Sequence, residues 1–95
     1  MRDRYLLKLY ITGYTPRSQQ AISNLIQLCE LHLKNQHEII IIDVLEQPLV
    51  AEAEKILLTP TLIKEFPLPK VRIVGDLSDT PTVLLDLNIP QERSL

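Results

Sequence analysis

Four β-branched residues in succession, Ile39-Ile40-Ile41-Ile42, leave little freedom over what surrounds them. With no polar residue alternating through it, the run has no water-facing side, and it implies a strand covered on both faces, as central parallel strands are. Upstream, Tyr5 to Ile11 reads Tyr-Leu-Leu-Lys-Leu-Tyr-Ile, a strand-length segment rich in β-formers and closed by Thr12-Gly13. Between the two lies a helix signal. Thr15 offers an N-cap hydroxyl, and Pro16 takes the first helical position, where its missing N–H is no loss. Ile22, Leu25, Ile26, Cys29 and Leu33 recur on one face, largely opposite Gln19, Ser23, Gln27 and Glu30, so the helix is expected to run to about Lys34. Strand, amphipathic helix and strand form a βαβ unit, with the second strand beside the first and the crossover right-handed.

Proline interrupts the second half at Pro48, Pro60, Pro67, Pro69 and Pro81, and the segments between are short. A helix is expected from Pro48 to about Leu57, with Leu49, Val50, Ala53, Ile56 and Leu57 on its apolar side and Glu52, Glu54 and Lys55 toward water. Thr61–Phe66 and Lys70–Val74 are expected to pair as a hairpin across Pro67-Leu68-Pro69, with Gly75 closing the second run. Ser78 is the expected cap of a last helix from Asp79 to about Leu87, stopped by Pro90. The order is βαβαββα, an α/β, thioredoxin-like arrangement with a mixed sheet. No repeat, low-complexity tract or long linker divides residues 1–95, which are read as a single domain.

The apolar supply is aliphatic, with one Phe, three Tyr and no Trp, which suits an α/β core better than an aromatic binding face. A net charge of −2 argues against nucleic acid or anionic lipid as partner, because both need a dense cationic surface. A single cysteine closes no internal disulfide, and a secreted domain this small usually has several, so a cytoplasmic location is expected. Only about seven apolar-leaning residues precede Thr12-Gly13, too few for a signal-peptide core or a membrane span.

Redox-active thioredoxin folds place two cysteines at the start of the first helix, where the helix dipole lowers a thiol pKa. Here that position reads Thr15-Pro16-Arg17-Ser18, which cannot form a disulfide. Cys29, on the apolar helical face, reads as a small buried hydrophobe. Thr59-Pro60-Thr61 resembles the loop carrying a cis-proline beside the thioredoxin redox site, although the same proline also serves simply to end the preceding helix. His32 and His37 lack a ligand partner at metal-binding spacing, and the two glycines, Gly13 and Gly75, make no phosphate loop. Asp43, Asp76, Asp79 and Asp86 are better explained as turn, cap or surface groups than as an acid and base pair. The expectation is therefore a chain with no catalytic residues, metal or cofactor. Lys64, Lys70 and Arg72 form a basic cluster against Glu46, Glu52 and Glu54, which reads equally as a pair of steering patches or as ordinary solvated faces.

Leu7-Lys8-Leu9-Tyr10, Ile42-Asp43-Val44-Leu45, Lys55-Ile56-Leu57 through Thr59-Pro60-Thr61-Leu62, and Val74-Gly75-Asp76-Leu77-Ser78-Asp79 resemble, in order and spacing, the KaiB family of the cyanobacterial circadian clock. The likeness runs nearly without gaps from Tyr5 to Leu87. It implies a non-catalytic adaptor that docks on the ATPase ring of a KaiC-like protein and modulates its phosphorylation cycle, with KaiA as a further partner and the kinase SasA as competitor. The resemblance also implies a second fold, βαββααβ, in a free homotetramer or dimer, with the thioredoxin-like state binding KaiC. The refolding half would include Gly75, Asp76, Leu77, Ser78, Asp79, Asp86 and Asn88. The expected binding face is the second helix and hairpin, with Glu52, Lys55, Lys64 and Arg72 as polar contacts and Pro60 shaping the turn. Charge reversal at Lys64 or Arg72 is expected to weaken KaiC binding without unfolding the monomer.

This chain departs from the family pattern at Ile40 and Glu46, where lysine is common, and at Asp86, Asn88 and Pro90. If those lysines help hold KaiA, that partner is lost here. The extended acidic tail typical of clock KaiB proteins is lacking, and the sequence stops at Leu95 with no kinase module, which disfavours a SasA-like sensor unless the sequence is a fragment. A KaiB-like stress-response role without rhythm is the remaining alternative.

Overall fold

The computed structural model describes residues 4–89. The elements run β1 (Tyr5–Ile11), α1 (Pro16–His32), β2 (His37–Asp43), α2 (Pro48–Ala53), β3 (Thr61–Phe66), β4 (Val71–Val74) and α3 (Thr80–Asp86). The sheet order is β2-β1-β3-β4. β1 and β2 are parallel, with Leu7 beside Ile39 and Leu9 beside Ile41, whereas β3 is antiparallel to both β1 and β4. This is the βαβαββα order and mixed sheet expected from the sequence. Pro90, expected to stop the last helix, lies outside the described residues.

The central strand is β1, not the isoleucine run. Leu7, Leu9, Tyr10 and Ile11 are fully buried, while β2 lies at the sheet edge, with Ile42 buried and Ile39, Ile40 and Ile41 half-buried. The unbroken apolar run does report two covered faces. Ile39 and Ile41 pack on the large cluster beneath α1 and α3, and Ile40 packs on the small cluster of Tyr10, Ile42 and Ile63 on the opposite face. What it does not report is a hydrogen-bonded neighbour on each side, because side-chain pattern records faces and not edges.

α1 begins as expected: the Thr15 hydroxyl accepts from the Ser18 N–H at 3.1 Å, and Pro16 opens the helix. It ends at His32 with Leu33 as C-cap, slightly short of Lys34. The buried line is Ala21, Leu25, Leu28, Cys29 and Leu33, whereas Ile22 is half-buried and Ile26 exposed, so the true stripe is rotated from the expected one. α3 is capped by Asp79, not Ser78: its carboxylate accepts from the Thr82 N–H at 3.4 Å and the Thr82 hydroxyl at 2.9 Å. Among the described residues, no helix is long and apolar enough to cross a membrane.

α2 departs most from expectation. It stops at Ala53 because Glu54 caps it and Lys55 turns left-handed at φ 55°. The Ile56 N–H then returns to the Ala51 carbonyl at 2.9 Å and the Lys55 N–H to the Glu52 carbonyl at 3.0 Å, the paired bonds of a Schellman ending. Turned out of the helix, Leu57 faces water, as do Leu49 and Val50, and Ala51 is the buried residue instead.

Candidate docking surface

The position that holds cysteines in a redox thioredoxin is occupied by a capping network. Thr15 Oγ1 donates to Ser18 Oγ at 3.1 Å, and Ser18 is buried. Across the sheet end, Thr59-Pro60 is a cis peptide, as are Phe66-Pro67 and Leu68-Pro69, and the Thr12 and Thr59 hydroxyls meet at 2.8 Å. Pro60 is buried and its carbonyl accepts from the Gly75 N–H at 2.9 Å, so it shapes the turn into β3 without offering a side-chain contact. Burial pushes the Cys29 thiol up to about 12, so the thiolate that redox chemistry needs does not form at neutral pH. His37 Nδ1 lies 2.7 Å from the Leu33 carbonyl, and among the described residues no group of His, Cys, Asp and Glu is arranged to hold a metal.

Exposed apolar side chains occur on several faces, Tyr14 just before α1 and Ile26 on it among them, and one group lies around α2. Leu49 is 78% and Leu57 90% exposed, flanked by exposed Leu45, Val50 and Leu58. A shallow groove of about 540 Å³ runs beside them, lined by Val44, Pro48, Ala51, Glu52, Lys55, Ile56 and Leu57. Exposed Glu52 and Lys55 bring one charge of each sign to an apolar groove. No local signal in the sequence sets the outward Leu49 and Leu57 apart from core leucines, since apolar neighbours such as Leu28-Cys29 and Val83-Leu84 are buried here.

The basic cluster divides. Lys64 is 1% exposed, on the α1 side of β3, with its Nζ 5.9 Å from the centre of the Tyr5 ring. It is no surface contact, and reversing its charge would bury a carboxylate, not spare the fold as expected. The misplacement is one of period: Lys64 and Leu62 share a strand face, and that face is the core. Arg72 lies on the α2 side, donating through Nη2 to the Glu54 carbonyl at 2.7 Å and through Nη1 to the Lys55 carbonyl at 3.1 Å. Lys70 Nζ sits 3.1 Å from both Glu54 carboxylate oxygens and 3.7 Å from Glu65 Oε1. The Lys70 hydrogen bond leads the causes holding the Glu54 carboxyl below its ordinary range. Lys70 is therefore paired with Glu54, and Arg72 is held by backbone carbonyls, before either meets a partner.

The segment expected to refold joins β4 to α3. Leu77 is buried with φ 63°, and Asn24 of α1 donates to the Asp76 carbonyl at 2.8 Å. The Asp76 carboxylate accepts from the Ser78 N–H at 3.0 Å, and hydrogen bonding from Ser78 leads the causes that lower its pKa. Asp86 is exposed at the end of α3, and Asn88 takes the left-handed position just after it, with φ 58°.

Comparison with known proteins adds to this geometry. The structure superposes on the N-terminal domain of SasA from Synechococcus elongatus with a TM-score of 0.76 at 24% identity, covering all of this chain and 92% of that one. It superposes on mitochondrial thioredoxin 3 of Saccharomyces cerevisiae with a TM-score of 0.72 at 15% identity, over 93% of this chain and 81% of that one. Both likenesses concern the fold. In sequence, the chain is 56% identical over 90 residues to circadian clock protein KaiB3 of Synechocystis, covering 95% of this chain and 88% of that protein. It is 48% identical over 88 residues to the circadian clock oscillator protein KaiB of Prochlorococcus marinus, covering 93% of this chain and 84% of the relative. A KaiB domain signature spans residues 8–89, from the middle of β1 to the turn after α3, and with these identities it establishes that the chain belongs to the KaiB family.

Proposed function

We propose that this protein is a non-catalytic clock or signalling adaptor that docks on a KaiC-like ATPase ring and modulates its phosphorylation cycle. The observation that carries the reading is the outward presentation of Leu49 and Leu57 beside an apolar groove, in a KaiB-family chain whose redox position holds only hydroxyls. Exposed apolar side chains rimmed by charge are what a protein interface buries first. Glu52 and Lys55 supply the polar rim, and Pro60 sets the turn behind it. SasA, whose N-terminal domain has this fold, is the expected competitor for the ring, and KaiA a further partner.

The thioredoxin-like arrangement is the docking state. A βαββααβ arrangement in a free tetramer or dimer is its counterpart, with the segment from Gly75 to Asn88 refolding between the two. A minor state at about one per cent lies only roughly 2.7 kcal/mol above the dominant one, so association or partner binding is enough to choose between them. Cytoplasmic work alongside such a ring follows from the same reading.

The test is co-elution of the purified protein with a KaiC-like hexamer, with and without ATP, for the wild type and for Leu49→Asp and Leu57→Asp. Binding lost in both variants, with their circular dichroism unchanged, supports docking through α2. A wild type that never co-elutes removes it. Sedimentation of the free protein at micromolar concentration reads the oligomer, and a monomeric mass would contradict the tetramer.

A further inference from the structure

α2 is held in place by little of its own. Six residues form too short a helix to persist in water without tertiary support. Its N-cap, Gln47, makes no side-chain capping bond, its leucine and valine face outward, and Ala51 is the helix residue buried against the sheet. The strand face below is itself imperfectly satisfied: the Tyr10 hydroxyl and Glu65 Oε2 are buried without a hydrogen bond. Ile56, just after the helix, packs on the Tyr10, Ile42 and Ile63 cluster, and the polar fastening lies at the same C-terminal end and comes from β4. The Arg72 fork takes together the carbonyls of Glu54, the C-cap, and Lys55, the residue after it, and its charge faces the negative end of the helix dipole. Lys70, at the start of the same hairpin arm, grips the Glu54 carboxylate.

These bonds take two of the five guanidinium N–H groups and turn the fork toward the helix end. We propose that Arg72 is a positioning residue, which clamps the end of α2 to β4 and so fixes the angle of the exposed leucine face, and is not itself a contact with the partner. Lys70 reinforces the clamp through Glu54. A guanidinium presents its donors as a flat, rigid fork that meets both carbonyls at once, a geometry that the point charge of a lysine ammonium does not reproduce. This inference rests on the docking reading for its consequence, but the clamp itself is a property of the thioredoxin-like arrangement, with or without a partner.

The experiment therefore has two arms, read on the wild type, Arg72→Ala, Arg72→Lys and Glu52→Lys. The first is amide hydrogen exchange of the monomer in its thioredoxin-like arrangement, separated from any tetramer or dimer by size exclusion. Loss of both clamp bonds is expected to speed exchange at Lys55 and Ile56 by about tenfold or more in Arg72→Ala, with Arg72→Lys intermediate and the β1 amides unchanged. The second is titration of a KaiC-like ring, where affinity should fall by a similar factor in the same order. Glu52→Lys, on the exposed rim, should lose affinity with α2 exchange unchanged. Affinity lost in Arg72→Ala without faster exchange overturns the proposal and makes Arg72 a direct contact. Faster exchange with full affinity overturns it too, since the clamp would then have no bearing on docking. If the wild type binds no ring, the docking reading fails and the positioning role falls with it, while the exchange arm still decides whether the clamp exists.

Discussion

Lys64 occupies a core position on β3 under the ring of Tyr5, and burial holds its amine below the ordinary lysine range. The folded state thus binds this proton less tightly than the unfolded chain does, so the site's cost to folding is felt at neutral pH and shrinks as pH rises through the folded pKa. Lys64→Met keeps the stem and removes the buried charge, and is expected to raise stability by about 1 kcal/mol, seen as a higher urea midpoint. Lys64→Glu should instead fail to fold cooperatively. Cys29 offers a second single-residue test: with its thiol at about 12 and no exposed surface, it should resist a disulfide reagent in the native protein and react fully in denaturant. Rapid native labelling would show that α1 does not cover it.

At the scale of elements, α2 and α3 end in the same way with different residues. In α3 the Ile89 N–H returns to the Leu84 carbonyl at 3.0 Å and the Asn88 N–H to the Leu85 carbonyl at 3.1 Å, with Asn88 in the left-handed position that asparagine tolerates. In α2 that position is Lys55, and a left-handed backbone brings any Cβ close to the following carbonyl oxygen. Lys55→Gly relieves about 1–2 kcal/mol of that strain and returns part of it as unfolded-state entropy, for a net gain of about 0.5–1 kcal/mol in chemical denaturation. Lost stability would mean that the lysine stem packs productively. The variant also keeps the carbonyl that Arg72 holds.

Over the whole molecule, the large cluster under α1 and α3 carries the fold, and the α2 face is a small cluster bordered by charge. Two carboxylates tie the periphery down: Glu54 through Lys70, and Asp76 through Ser78, both held below their ordinary range. Because their folded pKa values are depressed, their contribution is present above the unfolded value, about 4, and is lost as pH falls through the folded one. Thermal midpoints should be flat from pH 7 to 5 and drop below pH 4, with a smaller acid loss in Lys70→Ala. A midpoint unchanged down to pH 3 would show that neither pairing supports the fold.

The βαβ start, the capped entry of α1, the hairpin across its prolines and the absence of a cysteine pair were all legible in the residues, since each depends on neighbours within a few positions along the chain. Which strand is central, which side of β3 Lys64 faces, and whether Arg72 points to solvent or to a helix end were not. Those depend on what lies across space: β1 takes the middle because β2 and β3 both pair with it, and Arg72 meets Glu54 only because β4 folds back beside α2. A single sequence carries the period of its side chains, whereas the partner each one finds is decided by the packing of the finished fold.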